Sequence, residues 1–333
     1  MKKGVIPLQL LRKIAFMLLT IWVALTINFA LPRLMPGNPA QTIMAKFRGK
    51  LPPRALHSLE AAFGINVKQN IFEQYWSYLN NTIHGKLGLS ITYFPEPVSK
   101  LLEKAIPWTL GLIGISTVIA FVLGTILGIK SAWKRNHFLY DMSVPLGLFL
   151  QAIPYFWLAL LFLYVFSYTL GWFPLAGGTS GYYVGFFNVL DIIYHSILPA
   201  LTIIITASGG WLLTMRNNMI NVLSEDYVSF AVAKGIPDKK IMYRYAARNA
   251  ILPSITGFAM ALGYAVGGAL VTEMVFSYPG VGYLLFQAVE SLDYPLMQAI
   301  FSVITIAVIL ANFLADISLV FLDPRIKSGG REG

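Results

Sequence analysis

Long apolar runs without charge constrain this chain more than any other feature of its sequence. A hydrocarbon core about 30 Å thick is crossed by about 20 apolar residues in a helix. Six runs are of this order, and none contains Asp, Glu, Lys or Arg: 14–31, 106–129, 142–170, 196–215, 250–272 and 296–315. The sequence therefore predicts an all-α membrane protein with six transmembrane helices.

The composition agrees with this prediction and excludes several classes of site. Only 12% of the residues are charged, whereas a soluble domain has about 25%. The chain has no cysteine, so disulfides, thiolate metal sites and a cysteine nucleophile are excluded. Its 4 histidines lie apart from one another in the sequence and lack the spacing of a metal site. No metal or cofactor is expected in this chain.

The distribution of cations predicts the orientation in the membrane. Most of the 25 Lys and Arg residues lie in the two termini and in the loops 130–141 and 216–249. The short loops on the opposite side, 171–194 and 273–294, contain none. Because cytoplasmic loops carry the excess of Lys and Arg, both termini are predicted to be cytoplasmic. This topology accounts for the net charge of +10, so we do not expect nucleic-acid binding.

The chain is predicted to have two parts. Residues 1–105 form an N-terminal membrane anchor helix and an extracytoplasmic insert, and residues 106–333 form a five-helix core. The first run is interpreted as a retained signal anchor, because it is long and no A-x-A-like cleavage site follows it. The insert is expected to contain helices at 54–64 and 70–83 and to cap the membrane body.

A basic segment at 226–253 lies between two apolar runs and contains both Gly and Pro. Ser224 is the predicted N-cap of its first helix, with acids in the first turn where the helix dipole favours them. This helix is predicted to end at Lys234, because Gly235 accepts the left-handed conformation that often follows a helix. Taken alone, the segment could also be an ordinary amphipathic loop that satisfies the orientation rule.

A second helix is predicted to begin at Pro237, which suits a first turn. Two of its faces follow from the spacing of an α-helix. The first face is basic and is formed by Lys240, Arg244 and Arg248. The second is apolar and is formed by Ile241, Tyr245 and Leu252. Pro253 stands at the entry to the fifth run.

The same segment resembles the cytoplasmic "EAA" loop of binding-protein-dependent ABC importer permeases. The matching positions are Ala231, Ala233, Gly235, Leu252 and Pro253. The longer form "DYV…AKG…RNAILP" is similar to the oligopeptide/dipeptide/nickel branch, and so are "LPRLMPGNP", "GKLGLSI…PVSKLLEKAIPWTL", "VFSYPGVGYLL…DYPLMQA" and "DPRIK". Departures occur at Lys86, Ser229, Phe230 and Val232, of which the last three imply an adapted partner surface.

The resemblance implies a type I ABC importer permease fold in the cytoplasmic (inner) membrane of a prokaryote. The chain has no G-x-x-x-x-G-K-[ST] loop for nucleotide phosphates, so ATP and Mg are expected in two cytoplasmic ATP-binding subunits. The other implied partners are a second homologous permease subunit, an extracytoplasmic substrate-binding protein and membrane lipid. The implied ATPase-coupling residues are Asp226, Tyr227, Ala231, Ala233, Lys234, Gly235, Arg244, Arg248 and Pro253.

Two further sets of polar residues are candidates for contact with substrate or a binding protein. The candidates along the translocation pathway are Gln151, Ser116 and Asn312, for which helix packing is the alternative role. The candidates for external docking or a gate are Asp191, Glu273, Glu290 and Asp293. The alternative for these acids is that external loops merely lack cations. The small-residue pairs Gly124/Gly128 and Gly263/Gly267 are interpreted as packing sites.

The sequence argues against two other classes of function. An ion-coupled secondary transporter usually places ionisable residues within the bilayer, and here only His195 stands at the end of a run. An enzyme needs a nucleophile–base or carboxylate pair within reach, and the pair Asp191 and His195 lacks further partners. The predicted substrates are oligopeptides or dipeptides, with oligosaccharides as the alternative within the same importer mechanism.

Overall fold

The structure is a computed structural model, and it describes residues 5–34, 70–134, 138, 142–264 and 270–322. Over these residues the regular secondary structure is helical, with one isolated antiparallel bridge between Leu89 and Pro97. The helices are α1 (Val5–Leu34), α2 (Ile71–Ile83), α3 (Val98–Trp133), α4 (Ser143–Ala152), α5 (Tyr155–Thr169), α6 (Phe186–Leu223), α7 (Asp226–Ala233), α8 (238–250), α9 (Leu252–Tyr264), α10 (Leu270–Val275), α11 (Val281–Glu290) and α12 (Tyr294–Leu322).

Four of the described helices are long and apolar enough to cross a membrane. The qualifying segments are Leu11–Leu31, Val98–Trp133, Phe186–Leu223 and Tyr294–Phe313, and the pair α4–α5 is a fifth if it counts as one span. These five coincide with predicted runs. The run at 250–272 is described only in part, as α9 and the beginning of α10. The all-α prediction is confirmed for the described residues, and six spans and cytoplasmic termini remain predictions.

The third run is not one straight helix. It bends by 89° between α4 and α5, where Ile153 and Pro154 are extended with ψ values of 122° and 123°. Proline disfavours the α conformation of the residue before it, and this preference takes effect at Ile153. The last part of α5, Leu163–Thr169, is a π-helix.

The described chain divides into two compact units. The first comprises the described residues up to Thr109, together with Leu270 and Pro279–Ile317, and the second comprises the rest. The core of the first unit consists of buried side chains from the beginning of α3, from α11 and from the beginning of α12. They include Val98, Leu102, Val281, Leu285, Leu296 and Ile300. The Val281 amide also donates a hydrogen bond of 2.8 Å to the Thr109 hydroxyl.

In the second unit, α3 and α6 approach closely at two glycines. A Cβ placed on Gly124 would lie 2.6 Å from the Ser208 carbonyl oxygen, and one on Gly128 would lie 2.6 Å from the Leu212 carbonyl oxygen. No side chain larger than hydrogen fits at either position without a shift of the backbone. The interpretation of this glycine pair as a packing site is therefore confirmed, and the packing is within the chain.

Several predicted features lie outside the described residues. They are the helix at 54–64, the stretches "PGNP" and "DPRIK", Gly267 of the second glycine pair and parts of the loop 130–141. The predicted helix at 70–83 is described, and it is confirmed as α2.

The glycine contact predicts a selective loss of stability. Gly124→Ala should destabilise the chain by about 1–3 kcal/mol, the usual range for overpacking, because its new Cβ meets the backbone of α6. Gly111→Ala in the same helix is the matched control, since a Cβ there has nothing within 4 Å. The control should be neutral or stabilising, because Ala has the higher helix propensity.

Thermal unfolding of both variants in detergent checks this prediction. An equal unfolding temperature for Gly124→Ala and Gly111→Ala would contradict the close approach of α3 and α6.

Candidate functional site

The basic segment begins with α7, a short helix that starts one residue later than predicted. Glu225 is extended (φ −75°, ψ 144°) and occupies the N-cap, so the prediction that Ser224 caps the helix is wrong. Ser224 instead closes α6, where its hydroxyl donates a hydrogen bond of 2.7 Å to the Asn221 carbonyl oxygen. Asp226 is the first residue of α7 and is exposed. An acid is favourable in this position near the helix dipole.

The end of α7 is a Schellman motif. The Ile236 amide donates to the Ala231 carbonyl oxygen at 3.3 Å, and the Gly235 amide donates to the Val232 carbonyl oxygen at 2.9 Å. These are the two bonds that define the motif. Gly235 has φ +68°, as predicted, and Lys234 is the C-cap. The chain therefore turns sharply at Gly235, and two carbonyl groups near the end of α7 accept hydrogen bonds in the turn.

The second helix, α8, is largely not an α-helix. Its middle part, Ile241–Ala247, is a π-helix between the short α-helical pieces Asp238–Lys240 and Arg248–Ala250. The prediction that Ile241, Tyr245 and Leu252 form its apolar face is wrong in part: Ile241 is buried, Tyr245 is half-buried and Leu252 is 60% exposed. The buried residues are Ile241, Met242, Ala246, Ala247 and Ala250. The spacing of five in the pairs Ile241/Ala246 and Met242/Ala247 reflects the wider turn of the π-helix.

Helices α7 and α8 together form a helical elbow at 226–250. One side of this elbow, its underside, packs on α3 and α6. Met242, Ala246 and Ala250 of α8 belong to one buried cluster with Met215 and Met219 of α6. A second cluster joins α7 to α8 through Val228, Ala231 and Ile241. The Asn249 side chain donates a hydrogen bond of 2.8 Å to the Tyr227 hydroxyl, which connects the two helices again. The elbow is thus seated on α6 through buried apolar side chains.

The outer side of the elbow carries most of the predicted coupling residues. Exposed among them are Asp226, Tyr227, Ala233, Lys234, Gly235, Arg244, Arg248 and Pro253. Ala231 is only 3% exposed and packs inward, so it contributes to the joint between the two helices. The basic residues Lys240, Arg244 and Arg248 are all exposed.

The elbow also exposes two apolar side chains that were not among the predicted coupling residues. Phe230 is 68% exposed and Val232 is 60% exposed. Both were noted only as departures from the family pattern. Phe230 faces away from the buried pair Val228 and Ala231, whereas Val232 follows Val228 by one turn and borders the buried side of α7. An exposed aromatic side chain such as Phe230 is typical of a surface that a protein partner covers.

The predicted pathway residues have different surroundings. Ser116 is fully buried in α3, and its hydroxyl has no hydrogen-bond partner among the described residues. Gln151 is exposed and lies two residues before the bend at Ile153 and Pro154. Asn312 is half-buried in α12. Their role along a pathway stays a prediction.

Three of the four predicted external acids are buried. Asp191 in the first turns of α6 accepts hydrogen bonds of 2.6 Å from the Thr179 hydroxyl and the Ser180 amide. This carboxylate closes the loop before α6, and His195 follows one turn later with its Nδ1 2.9 Å from the Asp191 carbonyl oxygen. Glu273 in α10 has 0% exposure.

Asp293 has a structural role of the same kind. It is fully buried and accepts hydrogen bonds from the Ser90 hydroxyl, from the Thr92 amide at 2.9 Å and from the Leu296 amide at 3.2 Å. It therefore fixes the loop before α3 to the N-terminus of α12. Glu290 alone among the four acids is exposed. A docking or gating role for these acids stays a prediction, and the exposure that docking needs is found only at Glu290.

Comparison with known proteins now identifies the family. Residues 120–328 match the family described as "Binding-protein-dependent transport system inner membrane component". The chain belongs to this family. The predicted resemblance and the predicted membrane localisation are both confirmed, since the family is one of inner membrane components and the chain has several long apolar helices.

Relatives extend the similarity over almost the whole chain. The oligopeptide transport system permease protein AppB of Bacillus subtilis is 34% identical over 302 residues, which are 90% of this chain and 93% of the relative. The dipeptide transport system permease protein DppB of Alkalihalophilus pseudofirmus is 31% identical over 328 residues, 93% and 97% respectively. The glutathione transport system permease protein GsiC of Escherichia coli is 30% identical over 308 residues, 92% and 95%.

The turn at Gly235 predicts a local effect of substitution. A Cβ at this position has nothing within 4 Å, so the cost of Gly235→Ala comes from the left-handed backbone alone, about 1–2 kcal/mol. The variant should therefore loosen the Schellman motif and speed amide exchange of 226–250. Gly235→Asn is the matched control, because Asn adopts this conformation more readily.

Hydrogen–deuterium exchange of the purified chain measures the effect. Equal protection of 226–250 in the Ala and Asn variants would contradict a strained turn at Gly235.

Proposed function

We propose that the chain is the permease subunit of an ATP-driven ABC importer and forms half of a translocation pathway for oligopeptides or dipeptides. A second, homologous permease subunit would form the other half. Two cytoplasmic ATP-binding subunits would bind ATP and Mg and carry out hydrolysis, and an extracytoplasmic binding protein would deliver the substrate. This chain would have no catalytic role. The peptide class is supported by the names of the relatives, which refer to oligopeptide, dipeptide and glutathione transport.

The observation that carries the proposal is the two-sided helical elbow at 226–250. Its underside is buried on α6, and its exposed residues include Phe230 and Val232 of α7 and three cations of α8. A segment that transmits motion must be rigid and must be held by both elements that it connects. The hydrogen-bonded turn at Gly235 and the two buried clusters make the elbow rigid. The buried clusters attach it to α6, and its exposed side offers a surface for the ATPase.

The proposed mechanism follows from this arrangement. Closure of two ATPases on ATP would move α7, which would lie in a cleft of one of them. Because α8 is packed on α6 through Met242 and Ala246, the displacement would pass to α6 rather than be absorbed by a flexible loop. Helix α6 is 38 residues long, so a rotation at its cytoplasmic end would reach the outer side of the membrane.

The exposed cations fit either of two partners within this mechanism. Arg244 and Arg248 could pair with acidic side chains of the ATPase, and Arg can do so in a bidentate manner. They could equally bind lipid phosphates, because basic residues next to the cytoplasmic leaflet are attracted to anionic lipid.

The first experiment tests the substrate and the mechanism together. The complete complex is reconstituted in liposomes with its binding protein, and ATP hydrolysis is recorded with mixed short peptides and then with short α-linked and β-linked oligosaccharides. We expect stimulation by peptides and none by the sugars. Stimulation by sugars alone would keep the importer mechanism and replace the substrate class. Failure of any ATPase to assemble with the chain would contradict the proposed function.

The exposed aromatic ring of Phe230 predicts an effect on assembly that is separate from stability. Phe230→Ala should weaken binding of the ATPase by about tenfold or more, as expected for an exposed aromatic anchor at an interface. The unfolding temperature of the isolated chain should stay unchanged, because this side chain is 68% exposed. Val228→Ala in the same helix is the control: Val228 is 4% exposed, so its truncation should lower the unfolding temperature.

Binding is measured by titration of the purified ATPase onto the reconstituted permease pair. Unchanged affinity in the Phe230→Ala variant would remove Phe230 from the proposed interface.

A further inference from the structure

The amphipathic helix α2 is held along the C-terminal end of α1. The hydroxyl groups of Tyr75 and Thr26 are 2.7 Å apart, and the ring of Tyr75 meets the ring of Phe29 edge-on at 5.2 Å. One turn further along α1, Arg33 donates a hydrogen bond of 3.1 Å to the Gln74 side chain. The position of α2 relative to the apolar segment Leu11–Leu31 of α1 is therefore fixed by specific contacts.

A buried polar network strengthens this attachment. Asn28 of α1 donates a hydrogen bond of 2.7 Å to the Ser302 hydroxyl of α12 and one of 3.2 Å to the Tyr78 hydroxyl of α2. The hydroxyl groups of Tyr78 and Ser302 are themselves 3.0 Å apart. Three helices of the first unit thus meet at one set of hydrogen bonds. Helix α2 cannot turn about its axis without breaking them.

The surface of α2 divides into three sectors when its residues are placed at about 100° per residue. The sector toward α1 contains the half-buried residues Gln74, Tyr75, Tyr78, Leu79 and Thr82. A second sector is apolar and contains Phe72, Trp76 and Ile83, which lie within about 40° of one another and are 76%, 72% and 77% exposed. The third sector is polar and contains Glu73, Ser77, Asn80 and Asn81, all exposed.

We propose that α2 lies in the outer interface of the membrane, with Phe72, Trp76 and Ile83 in contact with lipid. The contacts on α1 set the depth, because Thr26 and Phe29 belong to the last turns of its apolar segment. At this level the environment changes from acyl chains to headgroups, and Trp is enriched there. A helix of this kind buries its apolar face about 5–10 Å into the headgroup boundary.

Two further observations favour lipid over water or a protein partner. Helix α1 itself exposes Trp22, Ile27 and Leu31 in the same turns that hold α2, so both helices present apolar side chains at the same level. The polar sector of α2 lies beside the apolar one, as required for a helix with one side in acyl chains and another in water.

The charge of α2 indicates which interaction holds this helix at the membrane. Helix α2 contains no Lys or Arg and one acid, Glu73. Attraction to anionic lipid therefore does not hold it at the membrane, and contact depends on apolar burial and on the attachment to α1. The Arg33 guanidinium lies 3.5 Å from the centre of the Phe29 ring, so this cation is held against α1 at the same boundary.

The absence of cysteine from the native chain allows a direct test by spin labelling. Single cysteines replace apolar residues (Trp76→Cys and Ile83→Cys) or neighbouring polar residues (Ser77→Cys and Asn80→Cys) in the full chain. Each variant is labelled with a nitroxide in liposomes, alone and again with its partner subunits. Paramagnetic resonance then compares the accessibility to oxygen, which partitions into lipid, with that to a water-soluble nickel chelate.

We expect the ratio of oxygen to nickel accessibility to be several-fold higher at positions 76 and 83 than at 77 and 80. The ratio should not change when zwitterionic liposomes are replaced by anionic ones. Positions 76 and 83 are independent of each other, so a local disturbance by the loss of Trp76 would not affect the label at 83.

Two results would overturn the proposal. High nickel accessibility at 76 and 83, equal to that at 80, would place the apolar sector in water. Low accessibility to both reagents at 76 and 83 would show that protein covers this sector. If the accessibility is low only when the partner subunits are present, one of those subunits covers the sector. Neither result bears on ATP-driven transport, so the two proposals can fail separately.

Discussion

The close approach of α3 and α6 at Gly124 and Gly128 is the contact on which the second unit depends. Two apolar helices in lipid gain little from the hydrophobic effect when they associate, so association relies on tight packing and on hydrogen bonds. Glycine allows this packing because the backbone of one helix rests directly on the other. Helix α6 then contacts α4, α5, α7, α8 and α9. A change in the position of α6 therefore reaches most of the described elements of this unit.

This arrangement explains why a small cytoplasmic segment can have a large effect. Helices α7 and α8 are short, and neither would be stable in isolation. They gain their order from buried side chains on α6 and from the turn at Gly235, where the carbonyl groups of Ala231 and Val232 accept hydrogen bonds. The π-helical part of α8 presents Ile241 and Met242, and again Ala246 and Ala247, to the underside. In the proposed mechanism these pairs transmit the movement of α7 to α6.

The sequence predicted the long helices well because length and polarity alone decide that a segment can cross a bilayer. It predicted the third run less well, because proline is ambiguous in such segments. Pro107 and Pro199 lie inside long helices, whereas Pro154 separates two helices that diverge by 89°. A proline in a membrane helix is tolerated when neighbouring groups satisfy the freed carbonyl. Those neighbours belong to the tertiary structure, which a single sequence does not reveal.

Among the site residues too, features that depend on neighbouring residues could be predicted, and features that depend on distant residues could not. The left-handed turn at Gly235 was predictable because it depends on one residue and its neighbours. The apolar face of α8 was not, because the prediction assumed 3.6 residues per turn and the helix widens at Ile241. The burial of Asp293 could not be inferred either, since its donors Ser90 and Thr92 lie about 200 residues away. The sequence shows that Asp293 lies in a short loop, but it does not show whether its carboxylate is free to bind a partner. In the structure this carboxylate already accepts hydrogen bonds from the N-terminus of α12 and from a loop that is distant in sequence.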